Sequence, residues 1–378
     1  MTQHGDLSIH FFSSPVELSG EYRALFENGE RTSLDQGLPW YRNLLATVYP
    51  DESVCFAAAE RHGRPVAVLP MRLDAAVGGR PREAASLSNY YTWLYSPAAD
   101  ESASDNVFAA VIESFGERYA SLSVMRLSPM DPDAGVFSVL ERGLRKAGWR
   151  PFRYFCFGNW YLDVRNTDWM TYLSSRDSQL RNTIRRKGNK FAADGGTLEI
   201  VTGGDALDEA LSAYRAIYAA SWKCEEPYPA FIPGLAHTAA AKGWLRLGIA
   251  RLKGEPVAAQ IWLVGHGTAN IYKLAYDERF SAYSAGTLLT AHLMRHVIEV
   301  DRVATVDFLS GDDTYKPAWM GARRERWGIV AYNLRTLSGL LGFWRELAGR
   351  MLKESYARLL GKEFQELRVG GEGSRGKP

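Results

Sequence analysis

The chain has 378 residues, a length that suits two domains better than one. Its hydrophobic share of 46% and charged share of 23% are those of an ordinary globular protein. Lys plus Arg number 45 against 43 Asp plus Glu, and the resulting net charge of +2 argues against a protein that coats nucleic acid.

Cys55, Cys156 and Cys224 are odd in number and widely spaced, which suits a reducing compartment and gives neither a disulfide framework nor CxxC metal spacing. The N-terminal Met-Thr-Gln-His-Gly-Asp lacks the basic and apolar regions of a signal peptide. No stretch approaches the roughly 18 apolar residues of a membrane span. A cytoplasmic protein is expected.

Residues 56–67, FAAAERHGRPVA, read as a hairpin: alternating apolar residues, a tight Gly turn, and a second strand opening with Pro65. A proline fits there because the first residue of a strand can dispense with its ladder N–H. The pattern returns at 247–258, LGIARLKGEPVA, with Gly63, Pro65, Val66 and Ala67 matching Gly254, Pro256, Val257 and Ala258. Further on, Asn89–Tyr95 matches Asn270–Tyr276 in its Asn and two of its Tyr, and Arg126–Asp131 lines up with Phe308–Asp313. Three ordered matches point to a duplicated unit of hairpin strands and helical crossovers, hence a mixed sheet with helices packed on it. Arg153–Phe157 is expected to close the first copy and Trp160–Val164 to open the second.

The second copy begins with a basic stretch at helical spacing, Arg181, Arg185, Arg186, Lys187 and Lys190, in which Arg181 and Arg185 share a face. It is either a solvated surface or a site for phosphates, an acidic carrier protein or a tRNA acceptor stem. Thr202-Gly203-Gly204-Asp205 reads as a turn and cap before a helix that ends near Ala220. Gln260 lies among apolar residues of a strand, as a satisfied core amide or a substrate contact. After the strand 270–276, Arg279 and the small residues Ser284, Ala285, Gly286 and Thr287 lead into a helix, 288–299. A helix start of that kind offers backbone N–H groups to phosphate. The first copy has Ser96-Pro97-Ala98-Ala99-Asp100-Glu101 instead, where two acids and a proline would repel it. His292 and His296 sit four apart but lack the Glu of HExxH, so no metal is expected.

The passage Ser281–Thr287 into its helix, followed by Val306–Trp319 (VDFLSGDDTYKPAW), resembles the GNAT acyltransferase superfamily. More closely it resembles the CelD/BioF2-like tandem branch, related to the FemAB-type transferases. The G-D-x-x-Y-K-x-x-W stretch of that branch stands here as Gly311, Asp312, Tyr315, Lys316 and Trp319. Its basic helix is Leu180–Arg186 and its Ser-Trp-Lys triplet is Ser221-Trp222-Lys223. The general phosphate signature of the superfamily is kept only as Gly286.

The resemblance implies an α/β fold of two tandem GNAT-like domains, each a twisted mixed sheet flanked by helices: residues 1–157, a degenerate first copy, and 158–335, which carries the donor site. It also implies an acyl-CoA donor, with Arg279 and Ser284–Thr287 at its phosphates, and attack by an amine on the thioester. Asp307 and Asp312 are candidates to take the amine's proton, and Tyr315, beside Lys316, to protonate the thiolate. The Asp-Asp-Thr after Gly311 is equally an N-cap or Asx-turn sequence. Trp222, Lys223, Gln260, Tyr272 and Lys273 are the candidate substrate contacts.

The implied acceptor is a small-molecule or glycan amine, such as an amino sugar in cell-surface polysaccharide synthesis. Alternatives are an aminoacyl-tRNA or acyl carrier protein donor, or a non-catalytic partner protein. The tail, 336–378, carries Leu340, Trp344, Leu347, Met351 and Leu359 at helical spacing with basic residues between. It is expected to pack on its own domain or to touch a membrane as an amphipathic helix.

Overall fold

The computed structural model describes residues 2–4, 6–51, 53–74 and 81–359, with side chains from 6 to 355. The chain opens with β1 (Thr2–His4) and β2 (Leu7–Phe12), then α1 (Gly20–Thr32) and α2 (Leu38–Thr47). The hairpin β3 (Ser53–Arg61) and β4 (Arg64–Asp74) is followed by β5 (Glu83–Ser86), β6 (Ala98–Ala99), α3 (Asp105–Arg118), β7 (Val124–Met130) and α4 (Gly135–Lys146). A long β8 (Trp149–Asp163) leads into α5 (Trp169–Ser174), α6 (Ser178–Ala193), β9 (Gly196–Val201), α7 (Leu207–Ala219) and α8 (Phe231–Ala241). Then come β10 (Leu245–Leu252), β11 (Glu255–Gly265), β12 (Thr268–Tyr276), α9 (Ala285–Glu299) and β13 (Thr305–Ser310). The chain closes with α10 (Lys316–Trp319), β14 (Ala322–Asn333) and α11 (Leu337–Leu359).

Two compact units interleave along this chain. The first takes residues up to 26, 52–156 and the chain from 326; the second takes 27–51 and 157–325. A single cut near residue 157 does not separate them. Asn43 on α2 donates to the carbonyl of Phe231 at 3.1 Å, and Trp40 packs edge-on against Phe231 and Tyr272, so α2 belongs to the second unit's core. β14 pairs with β7 and completes the first unit's sheet.

In the first unit the strand order is β1-β2-β3-β4-β5-β7-β14-β8, with β6 on β4; in the second it is β8-β13-β12-β11-β10-β9. Each sheet has a parallel step among antiparallel neighbours, β5–β7 in the first and β12–β13 in the second. The expected class therefore holds: α/β, two units, each a mixed sheet flanked by helices.

The hairpins that betrayed the duplication are alike in detail. His62-Gly63 and Lys253-Gly254 both adopt positive φ (52° and 76°, 51° and 87°), as a two-residue turn matched to strand twist requires. Both hairpins slip register at the same distance before the turn, at Ala59/Glu60 and Ala250/Arg251. Two expectations need correction. Asn89–Tyr95 is not a strand: the Asn89 side chain accepts the Tyr91 N–H at 2.9 Å, an Asx turn that competes with a ladder. β5 takes the third-strand place instead. Arg153–Phe157 and Trp160–Val164 are not two strands, because β8 runs unbroken from Trp149 to Asp163.

Each unit has its own core. The first gathers Phe108, Phe115, Leu127, Phe137, Leu140 and Trp149; the second gathers Trp262, Leu289, Leu293, Met294, Val306 and Phe308. Gly248 on β10 lets α9 lie close, since a Cβ there would stand 2.8 Å from Leu293.

Candidate active site

β12 and β13 run parallel only over Thr268–Asn270 against Thr305–Asp307. Beyond that ladder β12 continues to Tyr276 and β13 to Ser310, so a crevice opens at the carboxyl ends of the strands. In open α/β sheets such crevices hold ligands.

The turn that carries β13 away is built by buried charge. Leu309 and Gly311 adopt positive φ, 54° and 100°, and the register against β8 slips between Asp307 and Ser310. The Asp307 carboxylate accepts the Leu309 N–H at 2.6 Å, Asn159 Nδ2 at 2.5 Å and Arg324 Nη2 at 2.5 Å. Lys316, 3% exposed, donates to the carbonyls of Ser310 at 2.5 Å and Gly311 at 3.1 Å and pairs with Asp313 at 3.2 Å. Burial holds its ammonium pKa below the usual lysine range. Asp312 is gripped by Arg323 at 2.8 and 2.6 Å and by Trp160 Nε1 at 3.0 Å, and the Arg323 hydrogen bonds keep its pKa low.

These contacts correct the roles drawn from sequence. Carboxylates so fully occupied make poor bases, and a lysine spent on backbone carbonyls makes a poor proton donor. Asp307, Asp312 and Lys316 form the frame of the crevice. Tyr315, half-exposed and edge-on to Phe308, has its pKa raised by burial and by Asp313. A phenol in that state keeps its proton; it can donate a hydrogen bond but is a weak acid toward a departing thiolate.

The loop after α7 brings a second set of groups to the crevice. Trp222 packs at a tilt against Tyr276, ring centroids 4.6 Å apart, and Tyr276 in turn borders Gly286. Lys223 is pushed down to a pKa of about 8, first by burial and then by the charge of Lys273, with Lys316 adding and Glu226 and Asp313 opposing. Lys273 pairs with Glu226 at 2.7 Å, and the Tyr218 hydroxyl also bonds that carboxylate. Behind them lies a cavity of about 370 Å³ lined by Leu211, Tyr214, Tyr218, Lys223, Glu226 and Ile232. Its apolar walls and few charged groups fit the usual makeup of small-molecule sites.

Of the expected substrate contacts, Trp222, Lys223 and Lys273 meet here. Tyr272 meets Trp40 instead. Gln260 is a satisfied core amide: Nε2 donates to the Gly286 carbonyl at 2.9 Å and to Thr290 at 2.8 Å, and Oε1 accepts Trp262 Nε1 at 2.9 Å.

At the other end of the crevice α9 begins. Its N-cap Ser284 is left-handed (φ 53°) and makes no side-chain cap, so the amides of Ala285, Gly286 and Thr287 keep their donor capacity. α6 runs beside this start: Lys187 Nζ donates to the Ala282 carbonyl at 2.6 Å, and Lys190 pairs with Asp194 at 2.6 Å while lying over the Tyr283 ring. Two of the five basic residues thus flank the helix start. Arg181 bonds the Ser174 carbonyl, Arg185 bonds Asn182, and Arg186 is exposed. Arg279 is held by Asp277 at 2.6 Å and Glu255 at 3.1 Å. Among the described residues no group of three or more His, Cys, Asp and Glu is placed to hold a metal, and no helix is long and apolar enough to cross a membrane.

Glu226, Asp313, Tyr276, Asn159, Arg323 and Arg324 escaped the sequence reading. The traces were Glu226 three residues after Lys223 and Asp313 three before Lys316; the others act through partners further off in sequence.

Residues 178–317 match the family model described as an acetyltransferase (GNAT) domain, a span from α6 into α10 that includes the crevice. No curated protein sequence matches. Among solved structures, the crystal structure of FemX aligns over 85% of this chain and 97% of its own at 11% identity, with a TM-score of 0.60. A conserved protein of unknown function from Bacteroides thetaiotaomicron aligns over 86% and 100% at 11% identity and 0.55. The C-terminal domain of a putative lysylphosphatidylglycerol synthetase from Agrobacterium fabrum aligns over 85% and 95% at 15% identity and 0.51. At such identities the likeness is one of fold. The GNAT resemblance read from the residues is borne out.

Proposed function

We propose that this chain, bearing a GNAT domain, is an N-acyltransferase that moves an acyl group from acyl-CoA to an amine in the crevice between β12 and β13. The observation that carries the reading is the line of groups along that crevice. It starts with the uncapped amides of α9 beside Lys187, continues through Tyr276 and Trp222, and ends at Lys223 above the cavity. A diphosphate suits the first, because helix-start N–H groups and the helix dipole favour anions. The thioester then lies toward the Lys223 end, and the amine acceptor occupies the cavity.

The chemistry follows from the charges. The acceptor must lose a proton before it attacks, and a lysine whose pKa is about 8 is neutral often enough near neutral pH to take it. The new C–N bond forms, the C–S bond breaks, and CoA leaves as a thiolate that draws its proton from solvent. Tyr315 donates a hydrogen bond to the thioester oxygen as it gains charge. Glu226, anchored by Lys273, receives an ammonium or hydroxyl group of the acceptor. An amino sugar of cell-surface polysaccharide fits that polarity, and use of acyl-CoA implies a cytoplasmic reaction.

Calorimetric titration with acetyl-CoA and with a long-chain acyl-CoA tests the donor. A Cβ on Gly286 would stand 3.5 Å from Tyr276, an ordinary contact, so Gly286→Glu should fold and repel a diphosphate. Binding by the wild type that disappears in the variant is the expected result. Absence of binding by the wild type rejects the CoA reading. The exposed arginines of α6 then favour an aminoacyl-tRNA or carrier-protein donor, whose binding would fall steeply with salt.

A further inference from the structure

Three lysines of the second unit stand close enough to feel one another's charge, and two of them are paired. Lys273 meets Glu226 at 2.7 Å and Lys316 meets Asp313 at 3.2 Å. Lys223, half-buried, pairs with no carboxylate among the described residues. Its ammonium has only the rings of Tyr218 and Trp222, each centred 5.7 Å away. It is also the only lysine among the residues that line the cavity.

An amine in that place is a nucleophile as well as a base. Burial and the charges of Lys273 and Lys316 disfavour its ammonium, Glu226 and Asp313 favour it, and the balance leaves the pKa at about 8. At pH 8 about half of it is neutral, against about one part in 250 for a lysine at the ordinary value of about 10.4. A base that takes the proton of the attacking amine lies next to the thioester carbon. When the cavity is empty, nothing separates Lys223 from the acyl group.

We propose that Lys223 is itself a modification site, acylated on Nζ by the bound acyl-CoA when the cavity holds no acceptor; this rests on the donor site proposed above. The neutral amine attacks the thioester carbonyl, the C–N bond forms and the C–S bond breaks. One of the two amine protons passes through solvent to the CoA sulfur. The resulting amide carries no charge, so the repulsion from Lys273 and Lys316 is relieved. It accepts no proton either, so transfer stops once donor outlasts acceptor.

The test is incubation of the full chain with acetyl-CoA and, separately, palmitoyl-CoA, without acceptor. Digestion and mass spectrometry then follow each lysine, and calorimetry follows donor binding. With a donor that binds, Lys223 should be acylated at least about tenfold faster than Lys253, an exposed lysine of the β10–β11 turn. Its rate should level off above about pH 8. Gly286→Glu should slow Lys223 about tenfold or more and leave Lys253 unchanged. The proposal is overturned, and the transfer reading kept, if a donor binds and Lys223 reacts no faster than Lys253. It is equally overturned if Gly286→Glu leaves the Lys223 rate unchanged, for then the acylation does not come from the bound donor. If the wild type binds neither donor, the proposal and the transfer reading fall together.

Discussion

Lys223 is a cation held close to two others, Lys273 and Lys316, in a partly buried place, and its lowered pKa has two measurable consequences. The first concerns activity. If its neutral amine accepts the acceptor's proton, kcat/KM should climb as pH rises through about 8 and level off above. Lys223→Met should remove that limb and cost about a hundredfold in kcat/KM at pH 8, measured by steady-state assay with saturating acyl-CoA. The second concerns stability, which also rises with pH over the range just above. A lysine whose folded pKa lies below its unfolded value of about 10.4 binds fewer protons when folded, so stability grows with pH between about 8 and that value. Below pH 8 the charged Lys223 is a burden. Lys223→Met should therefore raise Tm at pH 7 by about 2 °C while lowering activity, a pairing common where function strains a site.

At the level of elements, α9 is tied at its start by one amide. Gln260 holds the Gly286 carbonyl and Thr290 with one end and Trp262 with the other. Gln260→Leu should leave Trp262 Nε1 without that partner and loosen the first turn, weakening the donor Kd about tenfold in calorimetry with little change in acceptor KM. Elements of this local kind were legible in the sequence. The two hairpins, α6, α7 and α9 each declare themselves by period, turn residues and charge. β8 was not legible, because Gly158 interrupts its pattern. That glycine reads as a break, yet it is needed within the strand because a Cβ would run into the Asp312 carboxylate and the Arg323 guanidinium. The site divides the same way. Gly286, Trp222, Lys223 and Lys273 lie in recognisable neighbourhoods. The occupied state of Asp307 and Asp312 rests on Asn159, Arg324 and Arg323, which no spacing rule connects to them.

For the whole molecule the interleaving of the two units decides what can be separated. Residues 158–335 alone would lack α2, leaving Phe231, wholly buried in the intact chain, without the Trp40 that covers it. That fragment should melt at least about 5 °C below the full chain by circular dichroism, and restoring residues 27–51 through a short linker should recover much of the loss. Arrival order on the ribosome follows from the same arrangement. Chains usually complete their N-terminal unit first. Here the second unit has all its segments once residue 325 is made, whereas β7 waits for β14, the last strand to emerge. At ordinary rates of synthesis the gap between those strands is on the order of ten seconds. Throughout it β7 offers a bare edge of the sort that recruits strands from other chains. Any shielding of that edge during synthesis is needed only until β14 seats.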